Sequence, residues 1–443
     1  MKRISRFILG FLVCWAGTLQ AQPSQDFPPA ALRQLWREIS RNHLSLRQLD
    51  QTIHSLELER QAQKASLLPV LATASSYSHI SDIARFTLPV QLPGVPPTEV
   101  EAGVRNQYDA ALVVQQPIFT GFRIRSQIRA ADWRKRSVQF KKQALQNQLY
   151  FQAGRLFYDL QLNQLQQQVL QKSLQRVELQ LQKVRSFLQA QQASAYDTLE
   201  VSNRRLQLVS QLQRLKTFQR VLESKLKFLA HTEELPQPFA EGLPRPELQM
   251  QPLEAYLAAA FQNRPELQEL PAMQQAQKQM VQAARSAYYP NISAAASYHY
   301  ARPGVNFFAD QWMTYFTVGV HIQWRLWDWQ QIERKVQQAR AEYTRLQLQS
   351  EYVRREIVQQ VEEAYHSLLT AKEQILLQEQ LVREEKRRYQ WIAQRYEQGF
   401  VSLLDLRSAE MQLTTSELQL QKNYVEWYAS RLQLLLATGQ IGY

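Results

Sequence analysis

A long amphipathic run near the C-terminus, from about Gln330 to Arg395, contains neither proline nor glycine and leaves few possible folds for this chain. Its apolar residues recur in steps of four and three, the spacing of a heptad seam, with one extra step of four between Ile357 and Val361 that locally straightens the helix. At 1.5 Å per residue the run predicts a rod of about 100 Å, which cannot fold back into an ordinary globule. The seam positions are Ile332, Val336, Ala339, Tyr343, Leu346, Ser350, Val353, Ile357, Val361, Ala364, Leu368, Ala371 and Ile375.

The stretch directly before this rod, Trp312 to Gln331, begins with residues that alternate between an apolar and a mostly polar face, a pattern that predicts a β-strand as far as Leu326. Alternation alone is typical of a half-buried strand in a soluble sheet. The aromatic residues at its two ends, Trp312 at one and Trp324 and Trp327 at the other, favour instead a membrane-crossing strand, because aromatic side chains gather at both membrane interfaces.

Residues 1–21 have the pattern of a secretory signal peptide, with basic residues followed by an apolar run from Phe7 to Ala16. The run is shorter than the ~20 residues of a spanning helix, which favours export over an inner-membrane anchor. The only cysteine, Cys14, lies inside it, so we expect the mature chain to contain neither disulfides nor thiol chemistry. No later segment has about 18 consecutive apolar residues, so any membrane crossing is expected to use strands.

The net charge of +13 is compatible with nucleic-acid binding. However, the Lys and Arg residues are interleaved with Glu along the predicted helices, as in residues 354–369, instead of forming a basic arm or patch. This pattern indicates solvated helix faces. We therefore expect no nucleic-acid partner.

The remaining chain contains further strands and helices, separated by proline-rich segments. Prolines make residues 89–97 a loop and residues 232–252 a linker, and Pro265 and Pro271 should each end or kink a helix. The predicted strands are 71–80, 105–119 and 291–301, and the predicted helices are 30–68, 124–188, 198–230 and 253–287.

The two halves show the same order of elements at a constant offset of 208 positions. At this offset Ser194 corresponds to Ser402 and Asp197 to Asp405. We interpret the pattern as an internal duplication. The predicted organisation is a signal peptide (1–21), a first repeat (22–231), a proline-rich linker (232–252) and a second repeat (253–443).

Four membrane strands per chain cannot close a barrel, which needs about eight or more. Because open strand edges are not tolerated in lipid, other copies must complete the sheet, and a cyclic homo-oligomer is the simplest arrangement. Two copies would give eight strands and three would give twelve, and the residues do not choose between them. Small residues on the polar faces, such as Ser293, Ser297 and Gly319, favour an open interior.

The segment from Tyr396 to Leu406, together with the helix end at residues 434–439, resembles the second-repeat signature of TolC-type outer-membrane efflux proteins. The resemblance covers nearly the whole mature chain, including the duplicated halves and the two strand pairs. It implies a mainly α fold with membrane β-strands: a homotrimer whose twelve-stranded β-barrel in the outer membrane continues as a long α-helical barrel across the periplasm.

The same resemblance implies a function and partners. The chain would be the passive exit duct of a tripartite efflux or secretion system, docked to a periplasmic adaptor protein and to an inner-membrane pump of the resistance-nodulation-division or ATP-binding-cassette type. The residues by themselves leave an alternative, an exported periplasmic coiled-coil scaffold without channel activity.

By position, the resemblance implies that Asp197 and Asp405 line a periplasmic constriction and that Tyr396 is an aromatic residue of the same tip. Two positions depart from the family pattern, since Val401 replaces a basic residue and Ser408 replaces a second acid. We therefore expect a closed state held by different bonds and a weaker cation preference.

The hairpin tip and adaptor-docking residues implied by the resemblance are Ser194, Gly399, Ser402 and Leu403. Independently of any family, Gly399 suits a positive-φ stop after the long helix and Ser402 suits the N-cap of the next. Asp405 would then also stabilise the helix dipole in the first turn, a role compatible with a gate.

Catalytic and metal-binding patterns find little support in the sequence. Glu363 and His366 form the E-x-x-H spacing of di-iron bundles, which need a second copy, but the position 208 residues before His366 is Tyr158. The sequence also lacks a G-x-S-x-G motif and a P-loop. We expect a protein that is not an enzyme and binds no cofactor or metal.

Overall fold

The computed structural model describes residues 27–87, 99–235 and 243–442. The predicted signal peptide, the predicted loop at 89–97 and residues 236–242 of the linker lie outside them. The helices are α1 (Ala30–Asn42), α2 (Leu44–Ala65), α3 (Arg123–Gln189), α4 (Ala195–Ala230), α5 (Leu253–Asn263), α6 (Glu266–Arg285), α7 (Gln331–Glu397) and α8 (Leu403–Ala437). The strands are β1 (Val70–His79), β2 (Ala84–Thr87), β3 (Glu99–Ala102), β4 (Asn106–Phe119), β5 (Asn291–Arg302) and β6 (Met313–Gln323).

Two helices of equal length, α3 and α7, dominate the molecule with 67 residues each. Both follow a residue with positive φ, Phe122 and Gln330. All the predicted seam positions of α7 are buried or half-buried. This is because α7 packs on α6 along its first part and on α8 further on. The heptad prediction is therefore confirmed.

Two helix predictions need correction. The helix predicted over residues 30–68 is divided at His43, whose side chain accepts a hydrogen bond from the Ser45 backbone N–H and so starts a new helix. The helix predicted over residues 253–287 is divided before Pro265 into α5 and α6, while Pro271 lies inside α6. The neighbours of Pro271, Leu270 and Ala272, are buried, and this packing offsets the single backbone hydrogen bond that proline removes.

The main sheet is antiparallel with strand order β1-β4-β5-β6, so strands from the two halves meet at its centre and β1 and β6 are its edges. β6 pairs with β5 from Gln323 opposite Asn291 to Met313 opposite Ala301. The strand therefore ends at Gln323, three residues before the end of the alternating pattern. A mainly α fold with four strands per chain leading into long helices is confirmed.

A second, two-stranded sheet of β2 and β3 was not predicted. Its strands have four residues each and flank the proline-rich segment that dominated the local sequence pattern. Strands this short give too few alternations to be recognised by periodicity.

The largest buried cluster lies where α1, α5 and the four long helices α3, α4, α7 and α8 meet. Trp36 of α1 is fully buried there, stacks on the Tyr150 ring at 5.0 Å and donates its indole N–H to the Tyr150 carbonyl at 2.9 Å. A smaller cluster joins α3 and α4 further along the rod. Among the described residues, none of the helices has both the length and the apolarity needed to cross a membrane.

Candidate functional site

The helix-turn-helix ends of the two long hairpins form the first part of the candidate site, which we call the tip. In each, a serine caps the second helix and an aspartate three residues later completes a reciprocal capping box. The Ser194 hydroxyl accepts from the Asp197 N–H at 3.1 Å, and the Asp197 carboxylate accepts from the Ser194 N–H at 2.8 Å. The matching distances for Ser402 and Asp405 are 3.2 and 3.0 Å.

Capping also sets the charge of Asp405. The Ser402 hydroxyl, and then the Ser402 backbone N–H, donate to its carboxylate and lower the pKa of Asp405. Because the pKa of Asp405 is lower in the folded than in the unfolded state, its ionised carboxylate stabilises α8 at pH values above the ordinary pKa range of an aspartate. This stabilisation is lost as the pH falls through the lowered pKa of the folded state. The tip thus carries an ionised carboxylate on an exposed surface at neutral pH.

The turns before these caps use the same backbone geometry with different residues. Gly399 has φ 78°, and at the equivalent position of the first half Gln191 has φ 59°. In both turns the next N–H closes back onto the helix: Phe400 donates to the Arg395 carbonyl at 3.0 Å and Gln192 to the Phe187 carbonyl at 2.8 Å. The positive-φ stop expected at Gly399 is confirmed.

The structure brings Tyr396 of the second half close to the first half. Its ring lies 6.2 Å from that of Phe187, centroid to centroid. Burial raises the pKa of Tyr396, and the nearby Asp197 carboxylate raises it further. The hydrogen bonds of Asp197 and Asp405 each lie within their own turn.

Sequence reasoning missed the ion pairs that link the two hairpins near the tip. Arg407 pairs with Glu200, and Lys183 pairs with Glu397. Glu200 lies 208 positions before Ser408, so the acid that the second half lacks is present in the first half. Applying the same offset to Ser408 would have revealed it.

A second missed group, which we call the Glu410 cluster, lies deeper between the hairpins. Glu410 of α8 is 2% exposed, and one of its oxygens accepts from the Arg204 guanidinium of α4 at 3.1 Å. Its other oxygen accepts from Ser173 of α3 at 2.5 Å and from Thr414 at 2.7 Å. Arg176 of α3 lies 3.6 Å from the same carboxylate. The sequence signal that could have revealed this cluster is an acidic residue, Glu410, on the same helical face as the buried residues Leu406 and Leu413.

The second part of the candidate site is the sheet, whose apolar face is exposed. Phe316, Val318, Val320 and Ile322 of β6 are 63–76% exposed on this face. At the end of the sheet away from the helices, Trp312 stacks on Tyr300 with centroids 4.6 Å apart. This apolar band covers the full length of β6.

Aromatic residues also surround the end of the sheet next to the helices. Trp324 donates its indole N–H to the Tyr288 carbonyl at 3.1 Å, and Trp327 lies 5.7 Å from Trp329. The first half has no tryptophan at the matching place, but Phe119 and Phe122 pack there, 5.3 Å apart. The aromatic residues predicted from the sequence thus lie at the two opposite ends of the sheet.

Metal binding has no geometric support in the part of the chain that the structure describes, where no three His, Cys, Asp or Glu side chains converge on a point. The residues of the candidate site are capping, ion-pairing and aromatic groups. Such an arrangement suits packing and docking.

Comparisons with known proteins agree with this geometry. Residues 256–440 match the family model described as outer membrane efflux protein. No curated protein sequence matches the chain.

Among solved structures, the outer-membrane channel OprN is 18% identical, with a TM-score of 0.75 over 93% of this chain and 90% of that one. CusC, described as forming a transmembrane channel, is 16% identical, with a TM-score of 0.77 over 93% and 92%. The MtrE outer membrane channel of Neisseria gonorrhoeae is 16% identical, with a TM-score of 0.74 over 93% and 90%. At these identities the likeness establishes the fold.

Proposed function

Because residues 256–440 match the family model described as outer membrane efflux protein and the described chain has the fold of outer-membrane channels, we propose that it is an exit duct in the outer membrane. The duct passively conducts small molecules or proteins delivered by an inner-membrane pump. The observation that carries the proposal is the exposed apolar face of β6 between two sets of aromatic residues, joined to a rod of about 100 Å. A soluble periplasmic scaffold would expose such an apolar face to water instead of to lipid.

We propose a homotrimer as the working unit. Within the described residues, the outer edges of β1 and β6 have no neighbouring strand, and three copies of a four-stranded sheet would close a twelve-stranded barrel. In the part of the rod nearer the tip, α3 contacts α4 and α8, and α8 contacts α7, so α4 and α7 are the outer helices there. Both outer helices carry exposed apolar side chains suited to the next copy. They are Leu199, Leu206, Val209, Phe218, Val221 and Phe228 on α4, and Leu348, Tyr352, Leu376, Leu377, Leu381 and Trp391 on α7.

The aromatic residues fit a defined placement in the outer membrane. Trp312 would lie at one membrane interface, and Trp324 and Trp327 at the interface next to the periplasm, all three against lipid. Their exposed fractions of 45%, 57% and 73% leave the rings free to contact lipid. The long helices then extend into the periplasm.

The tip, in this proposal, is both gate and docking surface. Asp197, Asp405 and Tyr396 would line the constriction, and Ser194, Gly399, Ser402 and Leu403 would shape the turns that a periplasmic adaptor protein contacts. Exposed apolar residues support docking at these turns. They are Tyr196 and Leu199 in the first half, and Phe400 and Leu404 in the second.

Conductance of the purified channel in planar bilayers tests the gate. We expect Asp197→Ala combined with Asp405→Ala to raise conductance, because both carboxylates leave the constriction. Ser194→Ala combined with Ser402→Ala is the matched control, since it weakens the same capping boxes but keeps both carboxylates. Unchanged conductance in the aspartate variant, or an equal rise in the control, would mean that both aspartates act only as helix caps.

Fractionation tests the duct itself. We expect the protein in outer membranes and, in unheated detergent samples, as a trimer that dissociates on heating. A monomer in the soluble periplasmic fraction would favour the scaffold alternative. Co-purification with an adaptor protein would test the proposed docking.

A further inference from the structure

A cavity lies where the main sheet meets the long helices. Its volume of about 390 Å³ is in the range of about 300–1,000 Å³ that is typical of small-molecule pockets. Two arginines line it, Arg123 in the first turn of α3 and Arg325 in the segment between β6 and α7. They come from different halves of the chain, and the positions that correspond to them at the offset of 208 are Gln331 and Pro117. The fold therefore brings together two cations that the duplication does not supply in pairs.

The charges of these two arginines are not neutralised by a nearby acid. Both side chains are exposed, and neither guanidinium makes a hydrogen bond or an ion pair with another residue that the structure describes. The acidic residue nearest to Arg325 along the chain is Asp328, whose carboxylate accepts from the Ile332 N–H at 2.8 Å and so caps α7. A guanidinium stays protonated throughout the physiological pH range. The cavity therefore carries two fixed positive charges.

Neutral hydrogen-bond donors complete the lining of the cavity. They are the hydroxyl of Thr120 and the side-chain amides of Asn291 and Gln323, which lie opposite each other in the pairing of β5 with β6. Among the described residues that line the cavity, none is acidic. Planar guanidinium groups together with amide and hydroxyl donors match the several acceptor oxygens of a phosphate group. This lining suits an oxyanion and offers no carboxylate to a cation.

The backbone places the two arginines on the side of the wall that would face the lumen. Gln323 follows the lipid-facing residue Ile322, so its side chain lies on the polar face of the sheet. Tyr150 follows Arg123 by 27 residues, which is about seven and a half turns, so the two residues lie on opposite sides of α3. The Tyr150 side is covered by Trp36 of α1, with ring centroids 5.0 Å apart. The Arg123 side of α3 therefore continues the polar face of the sheet.

We propose that Arg123 and Arg325 form a binding site for the phosphate groups of solutes in transit, at the junction between the barrel and the helical tunnel. Resting on the proposed trimeric channel, the site repeats once per copy and surrounds the lumen with guanidinium groups. An anionic solute that has passed the carboxylates of the tip is attracted to this end of the tunnel. Because both arginines are exposed, the binding is weak enough for the solute to leave through the barrel.

Equilibrium dialysis of the purified full-length protein in detergent against radiolabelled pyrophosphate, at low salt, tests the site without requiring conduction. We expect one pyrophosphate per chain. Arg123→Gln and Arg325→Gln should each weaken the binding by about tenfold, because each removes one charged hydrogen-bond donor. Arg125→Gln is the matched control and should bind as the wild type does. Arg125 is also exposed on α3, but it lies about 200° around the helix from Arg123 and does not line the cavity.

Unchanged binding in the double variant Arg123→Gln with Arg325→Gln overturns the site while leaving the duct in place. Equal weakening by Arg125→Gln overturns it as well, because any positive charge on α3 would then suffice. Phosphatidylglycerol added to the micelles should leave pyrophosphate bound. Displacement by this lipid would assign the arginines to the membrane surface and overturn the lumen site. Arginine-dependent binding by a protein that fractionates as a soluble monomer would overturn the proposed duct and leave an anion site on the chain.

Discussion

The two helical hairpins, α3–α4 and α7–α8, have nearly the same backbone but different side chains where they face each other. Their first helices are equally long, and both second helices begin with a Ser–Asp capping box. Between them, however, Glu410 has Ser202 as its counterpart 208 positions earlier, and Arg204 has Gln412. Turn and helix geometry is therefore alike in the two halves, while the surfaces that face each other are complementary.

The largest difference between the hairpins should appear on removal of the buried carboxylate. Glu410→Ala leaves the Arg204 guanidinium buried without its charged partner, so we expect the free energy of unfolding to fall by about 3–5 kcal/mol. Thermal or urea unfolding of the detergent-solubilised protein, followed by helical circular dichroism, measures this. Ser202→Ala, at the counterpart position, should change it by less than about 0.5 kcal/mol. Equal effects at the two positions would mean that the Glu410 cluster contributes nothing specific.

If the residues at the two positive-φ positions are exchanged, the free energy of unfolding should change in opposite directions in the two turns. Gly399→Gln places a Cβ in a left-handed backbone, and we expect a loss of about 1–2 kcal/mol in the free energy of unfolding. Gln191→Gly relieves the same backbone strain and should stabilise or be neutral. The same unfolding experiment measures both. Destabilisation by Gln191→Gly larger than that by Gly399→Gln would show that the two turns are not equivalent.

Removal of the capping serine should lower the free energy of unfolding by a similar amount in both hairpins, which tests whether the two capping boxes are equivalent. Ser194→Ala and Ser402→Ala each remove one hydroxyl acceptor from a helix N-terminus, and each should cost about 1 kcal/mol. Threonine at either position is the conservative control, because it keeps the acceptor. A cost at only one of the two serines would contradict the equivalence.

The smallest effect is expected for the partly exposed ion pair between the hairpins. Glu200→Gln removes the partner of Arg407, and we expect a loss of about 0.2–1 kcal/mol that shrinks as the salt concentration rises. Unfolding at low and high salt measures it. Ser408→Ala, at the counterpart position, should show no salt dependence of its own. A salt-independent loss in Glu200→Gln would point to packing instead of charge.

Features that repeat along a single helix or strand could be predicted from the sequence. The α7 seam, the two faces of β6 and the caps at Ser402 and Gly399 are readable because helical and strand periods place each side chain relative to its own backbone. The family resemblance added the fold, which the family model and solved channels confirm. The repeat boundaries at 22–231 and 253–443 and the roles of Asp197, Asp405 and Tyr396 stay predictions.

Contacts between residues of different elements could not be predicted from the sequence and are seen in the folded chain. Glu410 with Arg204, Glu200 with Arg407 and His299 with Asp109 are each separated by about 190 or more positions. Their pairing depends on how the two hairpins and the two strand pairs lie against each other, which no local period specifies. Packing also decided that α6 continues through Pro271, because burial of its neighbours outweighs the hydrogen bond that proline cannot make.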